Sequence, residues 1–351
     1  MTNIIRYNAK PSVYGTGLVA LDIVLSSTPN EPAYHWAGGT CGNVLTILSY
    51  LGWNSFPIAR LNKESSSVRV KEDMKKWKVR LDFSELNPNE SVPVITQELS
   101  RDKSGAPVTK FHWKNCPKCG SWLPNYKAVT LSATKVVKDR VKRGEVFFFD
   151  RTSAGALDLA RHFKSLGCVI FFEPSAKGDI KHFTEAIKLA DIVKYSMQRF
   201  PSLLAANSLI RHQPFLEIQT LGEDGLRYRM KKQKDWQNLP AFEAEDLVDP
   251  CGCGDWTTAG IISILCGEGI RGLVRSSAKS IKTALIYGQA LGVWNCSFEG
   301  ARSGMYRIKK RTFKKEIEIV LKEGILRTSG TRENLNSENA SDGLCPACPN
   351  L

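Results

Sequence analysis

The residues best placed to do chemistry fall in one glycine-rich run, Leu247-Val-Asp249-Pro-Cys251-Gly252-Cys253-Gly254-Asp255-Trp256, which leads into Thr-Thr-Ala-Gly260-Ile-Ile. An apolar strand end there meets Gly-x-Gly-Asp, and an apolar helix follows. Glycines at a helix N-terminus leave backbone N–H groups uncovered, at the end where the dipole favours an anion. An aspartate in that first turn, facing a bound phosphate, can take the proton of an attacking hydroxyl. An ordinary helix opening on a tight turn looks the same, so this run needs company before it means phosphoryl transfer.

A second group points to metal. Asn115-Cys116-Pro-Lys-Cys119-Gly120 and Leu344-Cys345-Pro-Ala-Cys348-Pro both read Cys-Pro-x-Cys. Two thiolates at this spacing can share one tetrahedral zinc, and two such turns complete a closed, structural four-sulfur site. One Zn2+ held by Cys116, Cys119, Cys345 and Cys348, within a chain or between chains, is therefore expected. His112 could stand in for one cysteine. A redox role lacks its thioredoxin-like context. Cys41, Cys168, Cys266 and Cys296 sit among apolar or small residues and read as core thiols.

Further signals lie in order along the chain. Asp22 is the one acid in the apolar Leu18-Val-Ala-Leu-Asp22-Ile-Val. Trp36-Ala-Gly38-Gly39-Thr-Cys-Gly42-Asn43 feeds a helical pattern that ends at Gly52, and Thr220-Leu-Gly222-Glu-Asp-Gly225 follows an apolar run. With Asp249, Gly252, Gly254 and Asp255, these segments resemble the fingerprints of the ribokinase-like (PfkB) carbohydrate kinases. Those read Gly-Gly-x-x-x-Asn before a helix ending Leu-Gly, Thr-x-Gly-x-x-Gly at the nucleotide, and Asp-Thr-x-Gly-Ala-Gly-Asp before a second helix. The likeness runs from about residue 15 to residue 301.

The resemblance implies an ATP-dependent phosphotransferase acting, with Mg2+, on a hydroxyl of a sugar or sugar-like molecule. Asp255 would be the general base, and the amides of Gly252, Cys253 and Gly254 the anion hole. Asp22, Gly38, Gly39 and Asn43 would bind substrate hydroxyls. Thr220, Gly222 and Gly225 would line the nucleotide, with Lys194, Ser196, Gly300 and Ala301 beside it. Departures from the family pattern are as informative. Ser196 and Arg199 stand where an Asn-x-x-Glu usually organises magnesium. Glu173 then becomes a carboxylate for magnesium through water, or a structural one. Pro250 and Trp256 replace smaller or more polar residues and read as reshaping the pocket. Arg151, after Asp150 at a strand end, would meet an anionic substrate or form a structural ion pair; Trp36 and Trp256 would offer a flat apolar face. A nucleoside kinase and a weakened, nucleotide-binding regulatory protein on the same fold are the alternatives; the intact Asp255 favours an enzyme.

The elements around these residues alternate. Apolar runs at 146–150, 168–173, 191–194 and 216–221 read as strands, and amphipathic stretches at 154–166 and 183–190 as helices. That order means a doubly wound, mostly parallel α/β sheet. Residues 12–25 read as one buried strand. Residues 91–100 and 107–113 form a hairpin around Asp102-Lys-Ser-Gly105, outside the alternation, which suits a small β lid with strands within 26–37 and 91–115. Residues 1–327 make the kinase domain. Residues 328–351 make a polar strap and cysteine turn packing on the 114–127 loop.

Composition sets the outer bounds. The 351 residues are 42% hydrophobic and 24% charged, ordinary for a globular chain. No apolar run reaches membrane-spanning length, and Met1-Thr-Asn-Ile-Ile-Arg lacks a secretory pattern, so a cytoplasmic protein without a membrane partner is expected. Lysine and arginine exceed aspartate and glutamate by 49 to 35, a net charge of +14 that suits anionic ligands. The basic clusters lack regularly interleaved aromatics, so nucleic acid is not an expected partner. Pairing of two copies through the lid is a further option.

Overall fold

The computed structural model describes residues 10–25, 33–86, 91–201, 203 and 213–327. Its strands are β1 (Ser12–Thr16), β2 (Ala20–Leu25), β3 (Tyr34–Gly38), β4 (Asn54–Pro57), β5 (Val94–Arg101), β6 (Pro107–His112), β7 (Val146–Phe149), β8 (Val169–Phe172), β9 (Ile192–Ser196), β10 (Leu216–Thr220), β11 (Leu226–Met230) and β12 (Gln237–Leu239), with a short pair β13 (Glu243–Ala244) and β14 (Ile325–Leu326). The main sheet has eight strands in the order β12-β11-β10-β9-β8-β7-β1-β4. It is parallel from β4 to β10 and antiparallel at β11 and β12.

Helices cover both faces: α1 (Thr40–Leu51), α2 (Ser65–Lys76), α3 (Leu131–Arg140), α4 (Ala154–Ser165), α5 (Ile180–Leu189), α6 (Cys253–Leu265), α7 (Gly269–Arg275), α8 (Ala278–Asn295), α9 (Ser303–Arg307) and α10 (Lys310–Glu323). Coverage on both sides explains why β7 and β8 are unbroken apolar runs, buried at every position. Phe147 and Phe149 join the core beneath α3, α4 and α5, whereas Val146 and Phe148 join the core shared with α1, α6, α8 and α10. Helices α6 and α8 approach closely because Gly260 and Gly288 face one another; a Cβ on Gly260 would stand 2.7 Å from the Gly288 Cα.

The run at 12–25 departs from the expectation of a single strand. It divides into β1, in the main sheet, and β2, in a second sheet ordered β3-β2-β5-β6. Gly17, at φ 138°, makes the break, and a Cβ there would lie 1.8 Å from an Asp150 carboxylate oxygen. The hairpin of β5 and β6 forms as expected, closed by Asp102, whose Oδ1 accepts from the Ser104 and Ala106 amides. No single described helix is long and apolar enough to cross a membrane. The strap, with Cys345 and Cys348, and part of the expected lid segment at 26–37 lie outside the described residues.

Strand β1 pairs with β4 on one side and β7 on the other. Doubly wound sheets place ligands outside the carboxyl ends of their strands at such a reversal. Asp150, Glu173, Ser196 and Thr220 all stand at those ends.

Candidate active site

At the β1–β7 crevice the buried Asp150 carboxylate accepts from the Leu18 amide at 2.9 Å and from Arg151 Nη1 at 3.1 Å. Arg151 thus forms the structural ion pair, one of the two roles foreseen for it. Burial raises the Asp150 carboxyl above its ordinary range, with Arg151 opposing the rise.

Asp22, on β2, lies against the turn that opens α1. Its carboxylate fills the space a Gly38 side chain would need, since a Cβ there would stand 1.9 Å from it. Gly39 adopts φ 73°, where a Cβ would lie 2.5 Å from the Leu18 carbonyl oxygen. Gly38 is thus a packing requirement of the acid beside it, and Gly39 of the left-handed turn against Leu18. Burial lifts the Asp22 carboxyl to about 7, against the Gly39 amide, the Arg302 charge and Gln97. Asp22 Oδ1 has no hydrogen-bond partner among the described residues.

Helix α6 begins at Gly252, whose φ of 76° is left-handed, and no side chain caps it. A Cβ on Gly252 would stand 2.5 Å from Ala301. The Cys253 amide donates to the Pro250 carbonyl at 3.2 Å, so it closes the turn and is less available as an anion donor than the sequence suggested. Asp255 follows in the first turn. Its Oδ2 accepts from Asn43 Nδ2 at 2.8 Å, joining the starts of α6 and α1 across 212 residues of sequence. Burial, and then the Glu173 charge, push the Asp255 carboxyl up to about 8; Asn43, Lys194 and Arg199 pull the other way. Arg199 therefore brings positive charge where the resembled pattern has an acid.

Beneath this turn Lys194, 2% exposed, donates to Glu173 Oε1 at 2.5 Å and to the Gly254 carbonyl at 3.2 Å. Thr258 donates to Glu173 Oε2 at 2.5 Å. With an ammonium on one oxygen and a hydroxyl on the other, Glu173 braces α6, which is the structural of its two expected roles. Asp249 is likewise engaged: Oδ1 accepts from Thr109 on β6 at 2.5 Å and from the Cys251 amide at 2.9 Å, and Oδ2 from the Gly300 amide at 2.7 Å. Cys251 Sγ lies 3.3 Å from Gln97 Oε1 on β5, so the β5–β6 hairpin touches the phosphate-type turn twice. Gly300 and Ala301 thus stand behind that turn. Thr220, Gly222 and Gly225 shape the end of β10, and Thr220 pairs with Ser196.

Trp256 does not face the cleft. It is fully buried, donates Nε1–H to the Ala301 carbonyl at 3.0 Å, and packs against Tyr50, Trp294 and Phe313. Trp36 is stacked between Tyr34 and Tyr306. Neither offers the flat substrate face expected from the sequence. Conversely, the sequence missed Arg302, which is 1% exposed and donates from Nε to Asn43 Oδ1 at 2.9 Å and from Nη2 to Asp73 Oδ2 at 2.8 Å.

The first cysteine turn is formed. The Gly120 amide donates to the Cys116 carbonyl at 2.9 Å, and the Cys116 amide to Ser121 at 2.8 Å. Cys116 is buried and Cys119 exposed. His112 Nε2 lies 3.3 Å from Glu98 on the neighbouring strand. Among the described residues no group of three or more His, Cys, Asp or Glu could hold a metal, and the second pair of cysteines is not among them.

No protein-family model matches the sequence, and no curated protein does. Solved structures do match. An uncharacterized sugar kinase from Pyrococcus horikoshii superimposes with TM-score 0.63 at 18% identity, covering 88% of this chain and 99% of its own. The aminoimidazole riboside kinase of Salmonella enterica, complexed with aminoimidazole riboside and an ATP analog, gives TM-score 0.64 at 18% identity, covering 87% and 99%. The Burkholderia thailandensis nucleoside kinase in complex with inosine gives 0.61 at 16%, covering 83% and 92%. At these identities it is the architecture that is shared: the chain has the fold of the ribokinase-family sugar and nucleoside kinases.

Proposed function

We propose that this protein transfers the γ-phosphoryl group of ATP to a hydroxyl of a sugar or sugar-like molecule. The observation that carries the reading is Asp255 in the first turn of an uncapped helix, half-buried and held by Asn43, its carboxyl raised to about 8. The acceptor oxygen bonds to the γ-phosphorus as the bond from that phosphorus to the β–γ bridging oxygen breaks. The hydroxyl proton passes to Asp255, and ADP leaves. The uncapped turn of α6 receives charge on the transferring group. Asp22, with an oxygen unpartnered among the described residues, accepts substrate hydroxyls. Thr220, Gly222 and Gly225, with Ser196 opposite, line the nucleotide. Mg2+, when bound, would neutralise phosphate charge.

The contacts from Gln97 and Thr109 to the 249–251 turn support a lid role for the hairpin. Val108, Phe111 and Trp113 are exposed there, which favours pairing of two copies through it. The Cys116–Gly120 turn supports the four-cysteine zinc site with Cys345 and Cys348. Nucleoside kinases share the fold, so a nucleoside is the second substrate class. Ser196 and Arg199 motivate a weakened regulatory protein as the other reading. The test is ATP consumption over sugars, sugar phosphates and nucleosides, with Asp255→Asn as control. Consumption that Asp255→Asn leaves unchanged would sink the reading.

A further inference from the structure

The guanidinium of an arginine can only donate, and this limits what it can meet. Arg302 Nε points at the Asn43 side chain from 2.9 Å, so the atom there must be the carbonyl oxygen, Oδ1. The amide nitrogen is then left facing Asp255 Oδ2. An asparagine with no such neighbour could place either end against the aspartate. Arg302 is itself fixed. Nη2 donates to the Ala37 carbonyl and to Asp73 Oδ2, which also accepts from the Ala37 amide at 2.9 Å. Asp73 Oδ1 accepts from the Tyr306 hydroxyl at 2.6 Å.

We propose that Arg302, anchored by Asp73 and Tyr306, is a positioning residue that locks the Asn43 amide so that it can only donate to Asp255. The inference rests on the proposed kinase reading for its catalytic meaning, but its electrostatic content stands apart. A buried arginine–aspartate pair is costly to desolvate and could be replaced by apolar residues of similar size. Here its polarity has a use: it sets the direction of every hydrogen bond from Tyr306 to Asp255. Asn43 then acts chiefly on the base, with one amide hydrogen left for substrate. Losing the lock lets Oδ1 turn toward the carboxylate. A donor that favours the charged form becomes a repelling oxygen, and Asp255 holds its proton to higher pH.

The test follows Asp255 directly, by carboxyl carbon-13 NMR of the purified protein across pH, with Asp255→Asn assigning the resonance. Removing Arg302 alone would strand Asp73, so the variant is Arg302→Met with Asp73→Asn, its folding checked by thermal melting. The expected result is an upward shift of the Asp255 titration on the order of one pH unit, the size of one hydrogen bond to a charged group. In an Asn43→Ala background the same pair of substitutions should add nothing further. A folded variant whose Asp255 titrates as before overturns the proposal. So does a shift that persists without Asn43, because it would then arise from charge alone. If the substrate screen yields turnover, the acid limb of kcat should move with the titration while the nucleotide KM stays put. If no substrate is consumed, the kinase reading fails, and the titration still decides whether Arg302 orients Asn43.

Discussion

The Lys194 ammonium lies 2.5 Å from Glu173 Oε1, under the helix turn that carries Asp255. Both partners are largely buried, so each depends on the other. Lys194→Met leaves the Glu173 carboxylate buried without its cation, which costs about 3–5 kcal/mol. Thermal or urea denaturation should show that loss, and adding Glu173→Gln should recover most of it. A single variant as stable as the parent would mean that solvent reaches Glu173.

Asp255→Asn is expected to lower kcat by on the order of 100-fold or more with nucleotide binding retained, because the change keeps volume and removes the base. Nucleotide affinity by calorimetry beside turnover separates these effects. A turnover within a few fold of the parent would remove Asp255 from the mechanism.

The same pair of proteins reads out pH-dependent stability. The Asp255 carboxyl, ordinarily at 3.8, is raised to about 8 in the folded state, so folding takes up a proton in between. Its contribution to stability is fully present below 3.8 and is lost as pH rises through about 8. Asp255→Asn should therefore melt at increasingly higher temperature than the parent across that window, and the gap should level off above it. A gap independent of pH would mean that Asp255 is ionised with an ordinary carboxylate titration.

For Asp22→Ala the loss should fall on the sugar-like substrate and leave the nucleotide KM unchanged. The carboxylate sits against Gly38 and Gly39, on the α1 side of Asp255, whereas Thr220 ends β10 and Gly225 leads into β11. A hydrogen bond from a substrate hydroxyl to such a group is worth roughly 0.5–3 kcal/mol. Steady-state kinetics with each substrate varied in turn would check it; a change confined to the nucleotide KM would place the pocket on the wrong side.

What the chain discloses of this site follows from how local each feature is. The α6 turn was legible because Gly252, Gly254 and Asp255 are neighbours and their backbone needs show in residue type. Gly38 and Gly39 were legible as a pair, although the reasons, the Asp22 carboxylate pressed on Gly38 and the Leu18 carbonyl on Gly39, appear only in three dimensions. Trp256 was misplaced for a geometric reason. One residue along a helix turns about 100°, so the neighbour of a cleft-facing aspartate can face the core. The break at Gly17 was hidden because β1 and β2 are both buried nearly throughout, and burial does not reveal a change of sheet. Arg302 and Asp73 lie 229 residues apart. Neither has a local pattern, and only packing brings them to Asn43.

The cysteine turn at 116–120 yields the last expectation, one zinc per chain bound by Cys116, Cys119, Cys345 and Cys348. The turn has the backbone closure such a site needs, with Gly120 at φ 74° and its amide on the Cys116 carbonyl. Two thiolates cannot by themselves close a tetrahedral shell. Neither cysteine segment carries enough apolar sequence for a core of its own, so each needs the other or a partner chain. Elemental analysis of the full chain should give about one zinc per chain, the stoichiometry of a closed four-ligand site. Replacing Cys345 and Cys348 with serine should release the metal and raise hydrogen exchange in the 114–127 loop, leaving β7 and β8 protected. Full zinc occupancy in that double variant would show that other ligands hold it, and a metal-free parent purified without chelator would end the idea.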